Sequence, residues 1–437
     1  MEREKGFPKD LMFVKFCLYG FLKNLRFFDP FIILFFREMG MSFLNIGVLF
    51  SIREISTNIL EIPTGVIADA YGRKKSMVAA FISYLLSFAI FYLFPNFLLY
   101  SIAMVLFASG EAFRSGTHKA MILEYLRVKG IENMKVEYYG YTRAFSQLGS
   151  SLSSLIALSI VFLSGSYRPV FLFSIIPYIF GLILILTYPS FLDGEISEIK
   201  GAWKERIKSR FSSTLKDFGR IFTKREALRA IFNSSLFDGL FKSSKDYLQP
   251  ILKGQALVLP LFLYLAEEKR VSVVVGVIYF FLYLLTSTAS KNASKIVKKA
   301  KSITTAINIT YISGCILLLI AGFFTFIKIY WIAVLSFILL YIVQNFRRPI
   351  NVAYISDNIS HKTMASGLSV ESQLKTVVMA ILSPIIGYMA DKFGVGIALV
   401  IISVIFLLLF PIIAVSKTIP FFNSMFDRKR EVKVKFL

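Results

Sequence analysis

The chain has 437 residues, of which 56% are hydrophobic and 18% are charged, and phenylalanine alone accounts for 45. An ordinary soluble domain is about 45–50% apolar even when glycine is counted, whereas the mean hydropathy of this chain is +0.66. This composition excludes a soluble globular enzyme, a disordered chain and a nucleic-acid-binding protein with a water-facing basic surface. The net charge of +23 therefore needs another explanation.

Apolar runs long enough to cross a bilayer recur along the whole chain. A membrane-spanning helix needs about 20 mainly apolar residues, and twelve such runs can be counted. They lie at 11–36, 44–66, 76–94, 98–120, 139–163, 169–188, 229–252, 270–290, 302–326, 328–350, 365–387 and 395–416. The shorter run Ala256–Leu265 is predicted to be an interfacial helix, or else an extension of the seventh span. The pattern predicts an all-α membrane protein with twelve transmembrane helices.

A long polar stretch and an internal repeat divide these spans into two sets of six. We expect an N-terminal six-helix half at 1–190, a basic cytoplasmic linker at 191–228, and a C-terminal half with a cytoplasmic tail at 229–437. The segment Gly20–Arg26 of the first span resembles Gly239–Lys245 of the seventh, and Phe113-Arg114 of the fourth recurs as Phe346-Arg347 in the tenth. Paired repeats of this kind are typical of secondary transporters and predict two pseudo-symmetric halves.

The basic residues are distributed unevenly between the two sides of the predicted membrane. Loops after even-numbered spans carry Arg73-Lys74-Lys75, the basic linker and the Lys291–Lys301 segment, whereas the other loops carry only scattered cations. Cytoplasmic loops are enriched in lysine and arginine, so we expect a multi-pass protein of the cell (plasma) membrane with both termini in the cytoplasm. A nucleic-acid partner would need basic residues clustered on one folded face, and none is expected.

Charged residues also lie well inside several of the predicted spans. A charge at bilayer depth is costly and faces the bundle interior or a water-filled cavity. Spans 3, 6, 9 and 12 carry no charge, so we expect the charged spans 1, 2, 4, 7, 10 and 11 to surround a polar cavity. The candidate residues for binding a solute or a coupling ion are Lys23, Arg26, Asp29, Arg53, Glu54, Glu111, Arg114, Lys242, Lys245, Asp246, Arg347, Glu371 and Lys375.

A structural alternative is that these charges only pair with one another and hold the helices together. Helical spacings of three or four residues predict the pairs Arg26–Asp29, Glu111–Arg114, Lys242–Asp246 and Glu371–Lys375. A functional alternative is that Lys23 and Arg26 share one helix face. With Lys242 and Lys245 of the repeat, they would then form a four-cation surface for an anionic solute.

One loop motif carries a family resemblance. Between spans 2 and 3 stands Gly65-Val-Ile-Ala-Asp69-Ala-Tyr-Gly72-Arg73-Lys74-Lys75. It resembles the signature loop of the major facilitator superfamily, with one departure, because Ala70 stands where the family has a basic residue. The twelve spans and the central linker extend the resemblance over nearly the whole chain. It implies a conformational latch formed by Gly65, Asp69, Gly72, Arg73 and Lys74.

Other candidate motifs point to structure more than to chemistry. The similar segment Gly387-Tyr-Met-Ala-Asp391-Lys392-Phe-Gly394 lacks the basic tail and is predicted to be a tight turn on the opposite side. Cys17 and Cys315 have no metal-ligand spacing, and His118 and His361 are expected to be interface residues. We find no nucleotide-binding loop and no enzyme signature, so we expect no enzyme activity, no cofactor and no metal.

The resemblance implies a monomeric secondary transporter that moves a small-molecule solute through the lipid bilayer by alternating access. We expect coupling to protons, with Glu54, Asp29 or Asp246 as the titrating group, because a carboxylate in an apolar site can load and release a proton near neutral pH. The solute is predicted to be anionic. The alternatives are drug efflux by proton antiport, a membrane-embedded lipid handler, or a non-transporting sensor on the same scaffold. The fifth span lacks the glycine-proline pattern of the drug antiporters, which counts against the first of these.

Overall fold

The computed structural model describes residues 9–194, 205, 208–209, 212, 225–260, 263–291, 300, 302–358 and 364–415. Most of the predicted linker, the C-terminal tail and His361 lie outside these residues. The described residues fold into α-helices joined by short turns and 3-10 segments, and no strand occurs among them. The expectation of an all-helical protein is therefore confirmed.

The first half contains eight helices that make up six spans. They are α1 Leu11–Lys23, α2 Ile32–Glu38, α3 Phe43–Tyr71, α4 Arg73–Leu93, α5 Phe97–Arg114, α6 Thr117–Val128, α7 Lys135–Ser164 and α8 Pro169–Leu186. Helices α1 and α2 together form the first span. Helices α5 and α6 form the fourth, which bends at Gly116, where φ is +75°.

The second half contains seven helices that make up the other six spans. They are α9 Arg225–Ser244, α10 Leu248–Val258, α11 Glu267–Lys291, α12 Ile303–Phe326, α13 Tyr330–Asn358, α14 Met364–Phe393 and α15 Val395–Ile413. Among the described residues, nine helices are individually long and apolar enough to cross a membrane. The three remaining spans are α1–α2, the charge-bearing α3, and α9–α10, so the twelve predicted spans are all present as helices.

Spans 1 and 7 are interrupted at corresponding places. Helix α1 ends at Lys23, and a 3-10 turn at Asp29–Phe31 precedes α2; helix α9 ends at Ser244, and a 3-10 turn at Lys245–Tyr247 precedes α10. Pro30 has no N–H to donate within the first interruption. Non-helical backbone is tolerated at membrane depth where it lines a cavity or is buried in protein. Both interruptions place a carboxylate, Asp29 or Asp246, in the interior.

The prediction of an interfacial helix at Ala256–Leu265 is wrong. Ala256, Leu257 and Val258 continue α10, which ends at Val258, and the described residues after it form no helix before Glu267. Arg270 caps this helix end, because its guanidinium donates to the carbonyls of Ala256, Leu257 and Leu259 at 2.9, 3.2 and 3.1 Å. These are carbonyls of the last turn of α10, which a helix end leaves without partners.

The two halves meet through closely packed helix pairs, α3 against α14 and α7 against α11. Glycine permits the close approach of α3 and α14. A Cβ added at Gly47 would lie 2.3 Å from the carbonyl oxygen of Ser383, and one added at Gly387 would lie 2.2 Å from that of Phe43. We call the end of the bundle that carries the start of α1 and the end of α15 the termini side. The opposite end, which carries Phe43 and Gly387, is the far side.

Candidate functional site

A cavity of about 440 Å³ lies between the two halves. We call it the central cavity. Residues of both halves line it: the interrupted spans 1 and 7 supply the backbone breaks, and α3, α5, α11, α13 and α14 supply the walls. Eight of the predicted site residues meet there, namely Arg26, Asp29, Arg53, Glu54, Glu111, Lys242, Lys245 and Asp246. Four are cations and four are carboxylates.

Gln249 joins the two interruptions on the far side of this cavity. Its side-chain oxygen accepts from the Ile33 N–H at 2.7 Å, and its amide nitrogen donates to the Asp29 carbonyl at 2.9 Å. Gln249 is fully buried. A buried backbone group without a partner is costly, so this one side chain of span 7 compensates for the helix lost in span 1 and holds the halves together.

Glu111 is shared between two arginines of the first half. Its carboxylate accepts from the guanidinium groups of both Arg26 and Arg114. Tyr84 donates to it at 2.8 Å, and Arg26 also donates to the Tyr178 hydroxyl at 2.8 Å. The predicted Glu111–Arg114 pair is present. Arg26 pairs with Glu111 instead of Asp29, because α1 ends before Arg26 and the helical spacing assumed for Arg26–Asp29 does not exist.

Glu54 is shared in the same way, but across the two halves. Arg53 lies 3.2 Å from its carboxylate on the same helix, and the Lys242 ammonium of α9 lies 3.6 Å from it. Lys245 pairs with Asp246 at 2.6 Å. The predicted Lys242–Asp246 pair is therefore wrong, since the 3-10 turn after Ser244 moves Asp246 off the face that carries Lys242.

Asp29 is the exception among the cavity carboxylates. Within the described part of the chain its carboxylate has no hydrogen bond and no ion pair, although Arg26, Lys245 and Arg53 act on it electrostatically. It lines the cavity beside charges that are already paired. A carboxylate in this position can change its protonation without breaking an ion pair.

The structure separates the other predicted site residues from the central cavity. Lys23 and Arg114 line a second cavity toward the termini side, so Lys23 and Arg26 do not form one face with Lys242 and Lys245. Arg347 is fully buried in the second half, where it donates to Asn233, the Ile307 carbonyl and Thr310. Glu371 accepts from Ser234 at 2.8 Å, and neither it nor Lys375 is among the residues that line the cavity. The predicted Glu371–Lys375 pair does not form in the described residues.

Three tyrosines that the sequence reasoning did not single out line the central cavity. They are Tyr279 and Tyr283 of α11 and Tyr341 of α13. Each combines an apolar ring with a hydroxyl that can donate to a polar solute. The spacing of Tyr279 and Tyr283, one helical turn apart in span 8, was the available signal. Charge alone had marked the site, so uncharged polar side chains were overlooked.

The latch motif is anchored inside the first half. Arg73 donates to the Leu192 carbonyl at 3.3 Å and lies 3.8 Å from the Glu124 carboxylate. The Lys74 N–H donates to Asp193 at 2.6 Å, and the Lys74 ammonium donates to the Tyr188 carbonyl at 2.8 Å. These contacts tie the start of α4 to the segment that follows α8. Gly65 and Asp69 lie in α3, and Gly72 separates α3 from α4.

The segment around Asp391 is more than the tight turn that was predicted. Gly394 does adopt the left-handed backbone of a turn, with φ of +84°. The two carboxylate oxygens of Asp391, however, accept from the N–H groups of Phe43 and Leu44 at 2.9 and 2.8 Å. These are the first two residues of α3, whose N–H groups have no intrahelical partner. Arg37 lies 3.9 Å from the same carboxylate. We call this contact between the halves the far-side clamp.

Comparison with known proteins identifies the architecture. The profile described as Major Facilitator Superfamily matches residues 11–370, which is most of the chain. The chain belongs to the Major Facilitator Superfamily. It is 31% identical over 139 residues to the uncharacterized MFS-type transporter YxaM of Bacillus subtilis (strain 168). That match spans only 34% of the relative and 31% of this chain.

Solved transporter structures share this superfamily's fold with the chain over nearly its full length. A point mutant of the nucleoside transporter NupG superposes with a TM-score of 0.74 at 13% identity, covering 92% of this chain and 99% of that one. A POT family transporter in complex with a thioalcohol-conjugated peptide superposes with a TM-score of 0.66 at 15% identity, covering 92% and 96%. The family indicates a multi-pass membrane transporter of a small-molecule solute, and not an enzyme; the structural likenesses show the shared fold.

Proposed function

We propose that this superfamily member moves a small organic anion by alternating access, driven by the proton gradient, with the central cavity as the solute site and Asp29 as the proton carrier. The proposal rests on one observation above all: Asp29 faces a cavity whose other charges are paired. A cavity of about 440 Å³ is within the range of small-molecule sites, about 300–1,000 Å³.

The charge balance supports an anionic solute bound together with a proton. Arg114 is bonded to Glu111, so it adds a fifth cation to the four that line the cavity. Four carboxylates face these five cations. When Asp29 binds a proton, five cations remain against three carboxylates, and at low dielectric this excess strongly favours a negative charge. Loading the proton therefore favours loading the anion, which is the requirement for symport.

The contacts between the halves support a rocking mechanism. Gln249, the Glu54–Lys242 pair and the far-side clamp all join the two halves at or beyond the cavity toward the far side. Release of these contacts would open the cavity to the far side. We further propose that the protein acts as a monomer in the plasma membrane, with the termini side and the 191–228 linker in the cytoplasm. The motif residues Gly65, Asp69, Gly72, Arg73 and Lys74 would act as its latch.

The test is transport in proteoliposomes by the Asp29→Asn variant. Monocarboxylates, dicarboxylates and organic phosphates are first screened for thermal stabilisation of the pure protein, and the best compound is used as solute. Asparagine keeps the volume of aspartate but cannot carry a proton at this position. We expect D29N to lose accumulation driven by a pH gradient while keeping solute counterflow.

Asp246→Asn is the matched control, because Asp246 lines the same cavity but is paired with Lys245. Its loss leaves the partly buried Lys245 without its partner, which is destabilising. We expect a lower yield of folded D246N, with coupling intact in the protein that remains. Proton-driven accumulation by D29N at the wild-type level would contradict the assignment of Asp29. The absence of counterflow in the wild type would contradict transport itself and favour a sensor or a lipid handler.

A further inference from the structure

A second cavity, of about 380 Å³, lies on the termini side of the central one. We call it the vestibule. It is formed by α1, the α5–α6 bend and α7 of the first half, with Arg348 from α13 of the second half. Its cations are Lys23, Arg114, Lys119, Arg143 and Arg348. Among the described residues that line it, none is an aspartate or a glutamate.

These cations are mostly without counter-charges. The side chains of Lys23, Arg143 and Arg348 make no hydrogen bond or ion pair to any part of the chain that the structure describes, although the Lys23 carbonyl accepts from the Tyr178 hydroxyl at 3.0 Å. Lys119 lies above the Tyr139 ring, 5.7 Å from its centroid. Arg114 is the exception, because it is bonded to Glu111 and donates to the Tyr84 hydroxyl at 3.1 Å. Lys23 stands at the end of α1, deeper in the bundle than the exposed Arg143 and Arg348.

An unpaired charge inside a bundle is costly, and several like charges around one space repel one another. The central cavity shows how this chain compensates its interior cations, since each of them there has a carboxylate within reach. The vestibule has cations without that compensation. We propose that a phosphate-bearing anion binds in the vestibule and supplies the missing negative charge. Arginine binds phosphate through parallel N–H donors, and a dianion neutralises two of the unpaired cations at once.

The position of Arg114 connects this site to the central cavity. Its side chain lines the vestibule, and its partner Glu111 lines the central cavity. An anion that reaches Arg114 competes with Glu111 for the same guanidinium. The inference rests on the proposed transport function, because it treats the vestibule as a binding site on the termini side of the solute's pathway. It narrows the solute class to phosphate-bearing anions.

The test measures binding and not transport. Affinity for inorganic phosphate is determined by calorimetry on the full-length protein in nanodiscs of phosphatidylcholine, for the wild type and for Lys23→Gln and Arg143→Gln. Each substitution removes one charge-assisted contact, so we expect affinity to fall by about tenfold or more. Lys135→Gln is the control, because Lys135 is an exposed cation at the start of the same helix as Arg143 and does not line the vestibule. We expect K135Q to bind like the wild type.

Thermal unfolding without ligand separates a binding role from a packing role. Removing an uncompensated charge should leave K23Q at least as stable as the wild type, while phosphate should no longer stabilise it. The inference is overturned if the wild type does not bind phosphate at millimolar concentration. It is also overturned if K23Q and R143Q bind it as tightly as the wild type, or if K23Q unfolds at lower temperature while its residual folded protein binds normally.

A second arm distinguishes a lipid headgroup from a free phosphate compound. The titrations are repeated in nanodiscs that contain phosphatidylglycerol. If the headgroup occupies the site, phosphate affinity falls in the wild type but not in K23Q; if a free compound occupies it, wild-type affinity is unchanged. Either result supports the vestibule site. If phosphate binds through Lys23 and Arg143 but the protein shows no proton-driven accumulation, the vestibule site is supported and the proposed function is contradicted. If the protein shows proton-driven accumulation but does not bind phosphate through these residues, the proposed function is supported and the vestibule site is contradicted.

Discussion

Gly72 has a backbone conformation that other residues rarely adopt, with φ of +99°. A Cβ at this position would lie 3.0 Å from the carboxyl carbon of Asp193. That carboxylate accepts from the N–H of Lys74, in the first turn of α4. Gly72 is therefore required for two reasons: the turn between α3 and α4 needs its conformation, and the Asp193 carboxylate that caps α4 needs the space.

We expect Gly72→Ala to lower the free energy of unfolding by about 1–3 kcal/mol, the cost of a residue held in a sparsely populated backbone region. The measurement is thermal unfolding of the pure protein in detergent. Gly140→Ala is the control, because Gly140 lies in α7 with open space around it. Alanine there should be neutral or stabilising by about 0.5–1 kcal/mol. Equal melting temperatures for G72A and the wild type would show that the turn does not need its glycine.

At the scale of helices, the far-side clamp joins the last turn of α14 to the first turn of α3. A carboxylate at a helix N-terminus is stabilised both by hydrogen bonds and by the helix dipole. The Arg37 guanidinium lies 4.6 Å from the centroid of the Phe43 ring and 3.9 Å from Asp391, so it adds a second favourable charge at the same point. The far-side clamp lies beside the close contact between α3 and α14 that Gly47 and Gly387 permit.

Asp391→Asn should therefore weaken the closed arrangement of the far side. Spin labels are placed at Pro95 and Lys328, on exposed far-side turns of the first and second halves. Pulsed electron paramagnetic resonance then measures the distance between the two labels. We expect D391N to shift the distance distribution toward longer values. Lys392→Gln, which changes the neighbouring exposed residue, should leave it unchanged. A D391N distribution identical to that of the wild type would show that the clamp does not hold the halves.

At the scale of the whole molecule, the prediction concerns orientation in the membrane. The termini side carries Arg73-Lys74-Lys75, Arg127, Lys129 and Lys135, and basic residues favour the cytoplasmic face. Single cysteines are placed at Glu132 on the termini side and at Lys328 on the far side, in a background without Cys17 and Cys315. With a membrane-impermeant thiol reagent on intact cells, we expect Lys328→Cys to be labelled and Glu132→Cys to be protected. The reverse pattern would invert the orientation.

Much of the architecture follows from the sequence alone. Twelve apolar runs, the repeat of Gly20–Arg26 in Gly239–Lys245 and the loop at Gly65–Lys75 predict the helices, their grouping and the family. These features are local, because bilayer thickness sets the length of a span and burial in lipid makes its composition apolar. The interior position of Arg26, Glu54, Glu111 and Asp246 also follows, since a charge at membrane depth has to face inward.

Only the tertiary structure decided which charges meet. Regular helical spacing predicted Arg26–Asp29 and Lys242–Asp246, but spans 1 and 7 are interrupted at those residues, and the partners became Glu111 and Glu54 on other helices. The same interruptions placed Lys23 in the vestibule and Arg26 in the central cavity, and left Asp29 without an ion pair among the described residues. The packing of α14 against α3 placed Asp391 at the N-terminus of α3. Pairing across helices depends on depth, rotation and backbone breaks, and these arise from packing between segments far apart in the chain.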